Sequence, residues 1–163
     1  MGQSGRSLRR AYYPNVMRKN MNERMRKWID TRDKPGLLIA MMREFSGNSH
    51  ISFEGSLENL NLSGIHGASV EETEVLKRQT TSPKLDFLAV PLNEATLDEI
   101  WNELSKKDHL VHEGIIHVQI ENGGELVFGG YDNFHRECVV AYPAVPVKLL
   151  EELKENGVIR DFK

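Results

Sequence analysis

The chain has a single cysteine, Cys138, so no intramolecular disulfide can form and a reducing, cytoplasmic setting is expected. No apolar run approaches the roughly 18 residues that a membrane-spanning helix needs. The opening MGQSGRSLRR has no apolar stretch after its arginines, which does not fit a secretory signal. The familiar catalytic signatures are also missing. There is no Gly-x-Ser-x-Gly elbow for a serine nucleophile, and Glu137 and the Val139-Val140 run beside Cys138 disfavour its thiolate, which reads as a small core residue. No pair of histidines stands four apart with a glutamate between them, as a helical zinc site requires. Gly123-Gly124 and Gly129-Gly130 lie in or after a hairpin, whereas a phosphate cradle needs a strand, a glycine turn and then a helix.

What is present begins with an uneven charge distribution. The first 34 residues hold ten basic and three acidic side chains, a local net of +7, so a chain of net −3 carries −10 over the rest. A basic arm on an acidic body either binds an external polyanion or lies along its own body. Residues 1–13 are expected to form a flexible basic arm, and residues 14–163 one domain.

Periodicity then predicts the elements. Pro14 opens a helix in which Met17, Met21, Met25, Trp28 and Ile29 form one stripe, with Arg18, Lys19, Arg26 and Lys27 off it. Asp33-Lys34-Pro35 ends that helix, and Leu37, Leu38, Met41, Met42 and Phe45 line a second one, closed by Gly47. His50–Glu54 alternates as a strand with one buried face. Leu57, Leu60, Leu62 and Ile65 resemble one leucine-rich repeat, but no second copy exists to bury its face. Residues 63–83, rich in Ser, Gly and Thr, read as a mobile loop with a short acidic helix capped by Ser69 and Glu72. The apolar run 85–90 fits a strand covered on both faces. Thr96 and Glu99 have capping-box spacing before the stripe Leu97, Ile100, Trp101 and Leu104.

Residues 114–121 and 124–131 form the predicted hairpin, through a three-residue turn Asn122-Gly123-Gly124 that pairs Ile120 with Leu126 and Val118 with Phe128. His117, Gln119, Glu121, Glu125 and Val127 are then expected on the wetter face. Residues 138–142 read as a further strand, and Pro146 opens a last helix that ends at Asn156-Gly157. The fold class that results is α+β: a mainly antiparallel sheet of about 4–5 strands, with helices packed largely on one face.

Three functional readings compete. The first is a protein-binding module, an inhibitor, immunity or regulatory protein, acting through an acidic surface that steers a basic partner. Its candidate contacts are Glu71, Glu72 and Glu74, with Tyr131, Asp132 and Asn133 after the glycine pair, where a bulge or a close backbone approach is expected. The second is a small metal-dependent hydrolase holding a divalent ion through His109, His112, His117, Asp132 and His135, since imidazole and carboxylate suit such ions. The bland alternative is histidines that are exposed or hydrogen-bonded. The third is nucleic-acid binding by Arg18, Lys19, Arg24, Arg26 and Lys27 on the first helix. Its methionine stripe also fits packing on the body or self-association, as well as a membrane surface.

Overall fold

Segments of alternating or β-branched residues determine the architecture. The computed structural model describes residues 25–106 and 114–163, and within them the elements run β1 (Lys27–Thr31), α1 (Lys34–Glu44), β2 (Ser49–Gly55), β3 (Asp86–Leu92), α2 (Glu94–Ser105), β4 (Ile115–Asn122), β5 (Glu125–Gly130), β6 (Val139–Ala141), α3 (Val147–Glu155) and β7 (Ile159–Phe162). The strands form one sheet in the order β3-β2-β4-β5-β6-β1-β7, and every neighbouring pair is antiparallel.

Seven strands replace the expected four or five, although the broad α+β character holds. The extra strands come from both ends of the described chain. Trp28 and Ile29 lie in β1, where the expected first helix is overturned; residues 14–24 of that helix fall outside the described chain. Lys27 and Trp28 pair with Ala141 and Val140 on one side, and Ile29 and Asp30 with Phe162 and Asp161 on the other. Ile29 and Thr31 therefore point inward at period two while Trp28 faces out. Aromatic and β-branched residues suit this pleated position. The partner β7 is only four residues long, too short to announce itself by alternation.

Helix ends follow local chemistry. Asp33 does not merely precede a break: its carboxylate accepts the Gly36 N–H at 2.9 Å and caps α1. The cap of α2 is Asn93, with Thr96 at N3 reaching back in a reciprocal box, so the capping pair sits three residues before the expected one. Pro146 precedes α3, and Asn156 with Gly157 (φ +74°) closes it.

The hairpin turn has two residues, not three. Gly123 and Gly124 both take positive φ, Asn122 pairs with Glu125, and a bulge between Ile120 and Glu121 then sets Ile120 opposite Phe128 and Val118 opposite Gly130. The bulge places Leu126 on one face and Val127 in the main core, the reverse of the expected facing.

The three helices among the described residues bury their apolar stripes against one face of the sheet. Leu38, Met42, Ile100 and Leu150 meet Ile51, Phe53, Val118, Ile120 and Phe128 in a single cluster, closed at one end by Leu57, Leu60, Leu62 and Ile65. Phe134 belongs to it as well, with its ring against Phe128 and over Gly130. A Cβ at Gly130 would lie 2.8 Å from that buried ring. Gly130→Ala is therefore expected to lower stability by about 1–3 kcal/mol, read as a lower urea midpoint; an unchanged midpoint would show that the ring has room to move.

Candidate functional site

The opposite face of the sheet was expected to be the wetter one, yet Ser52, Glu54, Gln119 and Glu121 are buried there. The segment 69–85 crosses this face as a strap over Glu54 and Gln119, while Glu121 is engaged by His50 Nδ1 at 2.7 Å and the Gly124 N–H at 2.8 Å. The strap holds no helix, contrary to expectation. Ser69 instead exchanges two backbone hydrogen bonds with Ala89 of β3, at 2.9 and 2.8 Å. Leu76 then drops into a small apolar cluster with Phe87 and Ala89, packed by Leu126. Apolar burial alone is slight here, so polar anchors do much of the fastening.

Glu54, 2% exposed, is the central anchor. One carboxylate oxygen accepts the Gln79 N–H at 2.7 Å and the other the Thr80 N–H at 3.0 Å. Gln119 accepts the Lys77 N–H at 3.2 Å and donates its amide to the Tyr131 hydroxyl at 3.1 Å. Arg78 bonds the Leu85 carbonyl and lays its guanidinium over the Phe87 ring. Hydrogen bonds from backbone N–H to carboxylate are among the stronger ones, which is what a buried charge requires.

His117 joins the strap to the connection after β5. Its Nδ1 accepts the Asp132 N–H at 3.1 Å, so the neutral ring carries its proton on Nε2, which meets Thr80 Oγ1 at 2.9 Å. Burial lowers the His117 pKa below its ordinary value, against the opposing pull of the Glu54 and Asp132 carboxylates. In this tautomer Nε2 donates and cannot take a proton from Thr80. Thr80 is therefore not an activated nucleophile, despite a carboxylate, an imidazole and a hydroxyl lying in one cluster.

The connection itself is unusual. Asp132, Asn133 and Phe134 take φ of 51°, 54° and 58° in succession. Asp and Asn tolerate this region, but for a bulky Phe it costs about 1–2 kcal/mol. Burial of the Phe134 ring, the Asn133 N–H bond to the Ile116 carbonyl (2.7 Å) and the His117 contact hold it there. Gly129 and Gly130 exist to admit rings: the Tyr131 ring lies over the first and the Phe134 ring over the second.

Of the five candidate metal ligands, His117 and Asp132 adjoin through the Asp132 N–H, while His135 is engaged elsewhere. His135 Nδ1 accepts the Glu137 N–H at 3.2 Å within its own turn and lies 3.9 Å from the Cys138 sulfur. Cys138 is half-buried and not a core residue. Among the described residues no group of three or more His, Cys, Asp or Glu side chains is arranged to hold a metal ion, and His109 and His112 lie outside those residues. The basic set is described only in part. Arg18, Lys19 and Arg24 fall outside the described chain, while Arg26 stacks 4.8 Å from the Trp28 ring centroid and Lys27 lies in β1, off any helix.

Glu71, Glu72 and Glu74 are all exposed on the outer turn of the strap. That turn is tightly folded: Thr73 Oγ1 accepts the Val75 and Leu76 N–H groups, Ser69 Oγ accepts that of Glu71, and Glu72 accepts the Arg78 N–H at 2.6 Å. Val70, 61% exposed, stands at its start. It lines an open groove of about 490 Å³ with Leu57, Leu60, Arg78, Leu85 and Phe87.

The anchors Glu54, Gln119 and Thr80 escape notice in the sequence, because polar residues alternating in a strand read as a solvent face. No protein-family model matches the chain, and no curated protein or solved structure matches it either.

Removing the central anchor tests the strap. Glu54→Ala leaves two part-buried N–H donors without their acceptors and is expected to cost about 1–3 kcal/mol, with faster hydrogen exchange at the Gln79 and Thr80 amides. Glu54→Gln retains one carbonyl acceptor and is expected to recover part of this. Equal, unchanged protection in both variants would show that apolar packing alone seats the strap.

Proposed function

We propose that this protein is a binding module whose acidic turn, Val70–Glu74, docks on a basic face of a protein partner. The observation that carries this reading is a turn that presents exposed carboxylates while its flanks are tied to buried sheet residues. A loop fixed before binding loses little conformational entropy when it docks. The Glu71 and Glu74 carboxylates are free to steer an oppositely charged surface. Val70 and the groove beside it supply an apolar contact next to the charges, as interfaces with a small core and a polar rim do. The same negative turn disfavours nucleic acid as the ligand of this face. The polar cluster beneath the strap supports a structural role, because its carboxylate and both imidazole nitrogens already serve backbone or strap partners.

The test is affinity capture from the source lysate with nuclease present, comparing the native chain with Glu71→Lys/Glu74→Lys. Glu72 is spared because it accepts the Arg78 N–H. A stoichiometric protein captured by the native chain and lost with the variant is expected, with an association rate that drops about tenfold or more as salt rises. Capture that is indifferent to the reversal, or that disappears with nuclease, would overturn the reading.

A further inference from the structure

We propose that His117 is a proton-operated latch on the left-handed turn Asp132–Phe134. The inference rests on hydrogen-bond geometry and holds whether or not the acidic turn docks on a partner. The Asp132 backbone N–H points at His117 Nδ1 across 3.1 Å, and that contact exists only while Nδ1 keeps its lone pair. The other nitrogen meets Thr80 Oγ1 at 2.9 Å as a donor, a role that suits the neutral Nε2–H tautomer and the imidazolium equally. A proton from solvent therefore has one place to go, Nδ1, and it affects one of the two bonds. Once protonated, Nδ1–H faces Asp132 N–H, two donors with no acceptor between them. Either the ring turns or the peptide does.

The peptide is the element with reason to move. Three consecutive residues hold positive φ there, and Phe134, with its Cβ, is the one least suited to it. The turn has few tethers: the His117 contact, the Asn133 N–H to the Ile116 carbonyl, the His135 N–H shared between the Tyr131 and Asp132 carbonyls, and the Phe134 ring over Gly130. Loss of the first leaves Asp132 anchored only through its carbonyl.

The charged groups acting on His117 come from two elements, Glu54 from β2 and Asp132 from the turn. Tyr131 adds a tilted ring 6.0 Å away, and the strap contributes the neutral Thr80 hydroxyl. Glu54 is committed to two strap amides, whereas the backbone and carboxylate of Asp132 lie at the surface. The imidazolium thus draws the Asp132 carboxylate inward as its N–H is pushed away, which defines a second arrangement of the turn. Burial works in the same direction. It lowers the folded-state pKa below the ordinary value of 6.5, so the unfolded or unlatched form binds the proton more readily. The latch therefore contributes fully above pH 6.5 and is lost as pH falls below that value toward the folded-state pKa.

The test is a pH titration of the ¹⁵N-labelled full chain by NMR. It follows the His117 ring nitrogens alongside the Asp132 and Asn133 amides, with Val118 and Ile120 as internal references. The Nε2–H tautomer is expected at pH 7.5. Below pH 6.5, ring protonation should coincide with a shift of the Asp132 and Asn133 amides and a loss of their exchange protection, the reference amides remaining unmoved. His117→Gln offers an amide oxygen to Asp132 and an NH₂ to Thr80 but does not titrate, so its turn is expected to show no such transition. The proposal is overturned if the ring titrates while the Asp132 and Asn133 amides stay fixed, or if His117→Gln shows the same transition. Should that variant fail to fold, the comparison of ring and amide midpoints in the native chain still decides.

Discussion

One buried carboxylate organises half of this molecule. Without Glu54, two amides of the strap that covers the polar face of β2 and β4 would lose their acceptors. With it, two consecutive strap amides have acceptors of full charge inside the protein, and the strap gains a fixed line across the sheet. Gln119 and His117 extend that line on β4, where Glu54 and His117 are register partners. The small apolar cluster around Leu76 contains only three buried residues. At about 1.5–3 kcal/mol per fully buried side chain, it does not alone offset the entropy of ordering seventeen residues. Segment 69–85 is thus held on this face largely by polar anchors, while the other face is held by hydrophobic contact.

The same strap answers a second problem. β3 is an edge strand, and its outward N–H and C=O groups invite pairing with other chains. Ala89 is covered by Ser69, and the parity of the ladder puts Leu85 and Pro91 on the same outward side. Arg78 bonds the Leu85 carbonyl, and the Thr96 hydroxyl bonds that of Pro91 at 2.7 Å. Segments read as loop and helix cap therefore also act as edge caps. At the other edge, β7 is short and carries Arg160 and Asp161, which pair with Asp30 and Lys154.

How much of this was legible in the sequence depends on the range of the interaction. The helices α1, α2 and α3 could be read because stripe, cap and breaker lie within a few residues of one another. β2, β3 and β4 were likewise visible in local alternation or apolar runs. β1 was not, because Met25, Trp28 and Ile29 recur at helical spacing, and only pairing with β6 and β7, over a hundred residues away, makes Ile29 and Thr31 the buried residues of a strand. The bulge at Ile120/Glu121 was hidden for a related reason: regular alternation favours a three-residue turn, and only an irregularity in the ladder lets a two-residue turn keep Ile120 opposite Phe128. At the candidate site, the close approach at Gly129-Gly130 was expected from the glycines themselves. What approaches was not, since Tyr131 and Phe134 fold back from the same chain. Glu54 was invisible because a buried glutamate and an exposed one look identical until a distant segment supplies the donors.

The internal use of polar groups constrains what the surface can do. A general base needs a lone pair aimed at the proton it is to take. Beneath the strap Glu54 is bonded through both oxygens and His117 through both nitrogens. On the strap's outer turn the relation reverses, because local hydrogen bonds through Ser69, Thr73 and Glu72 satisfy the backbone and leave the Glu71 and Glu74 carboxylates to water. A tied support with uncommitted charge on its rim is the arrangement on which the docking proposal rests. The exception is His117, whose Nδ1 contact alone in the cluster is undone by a single proton, and it bears on the turn where backbone strain is concentrated.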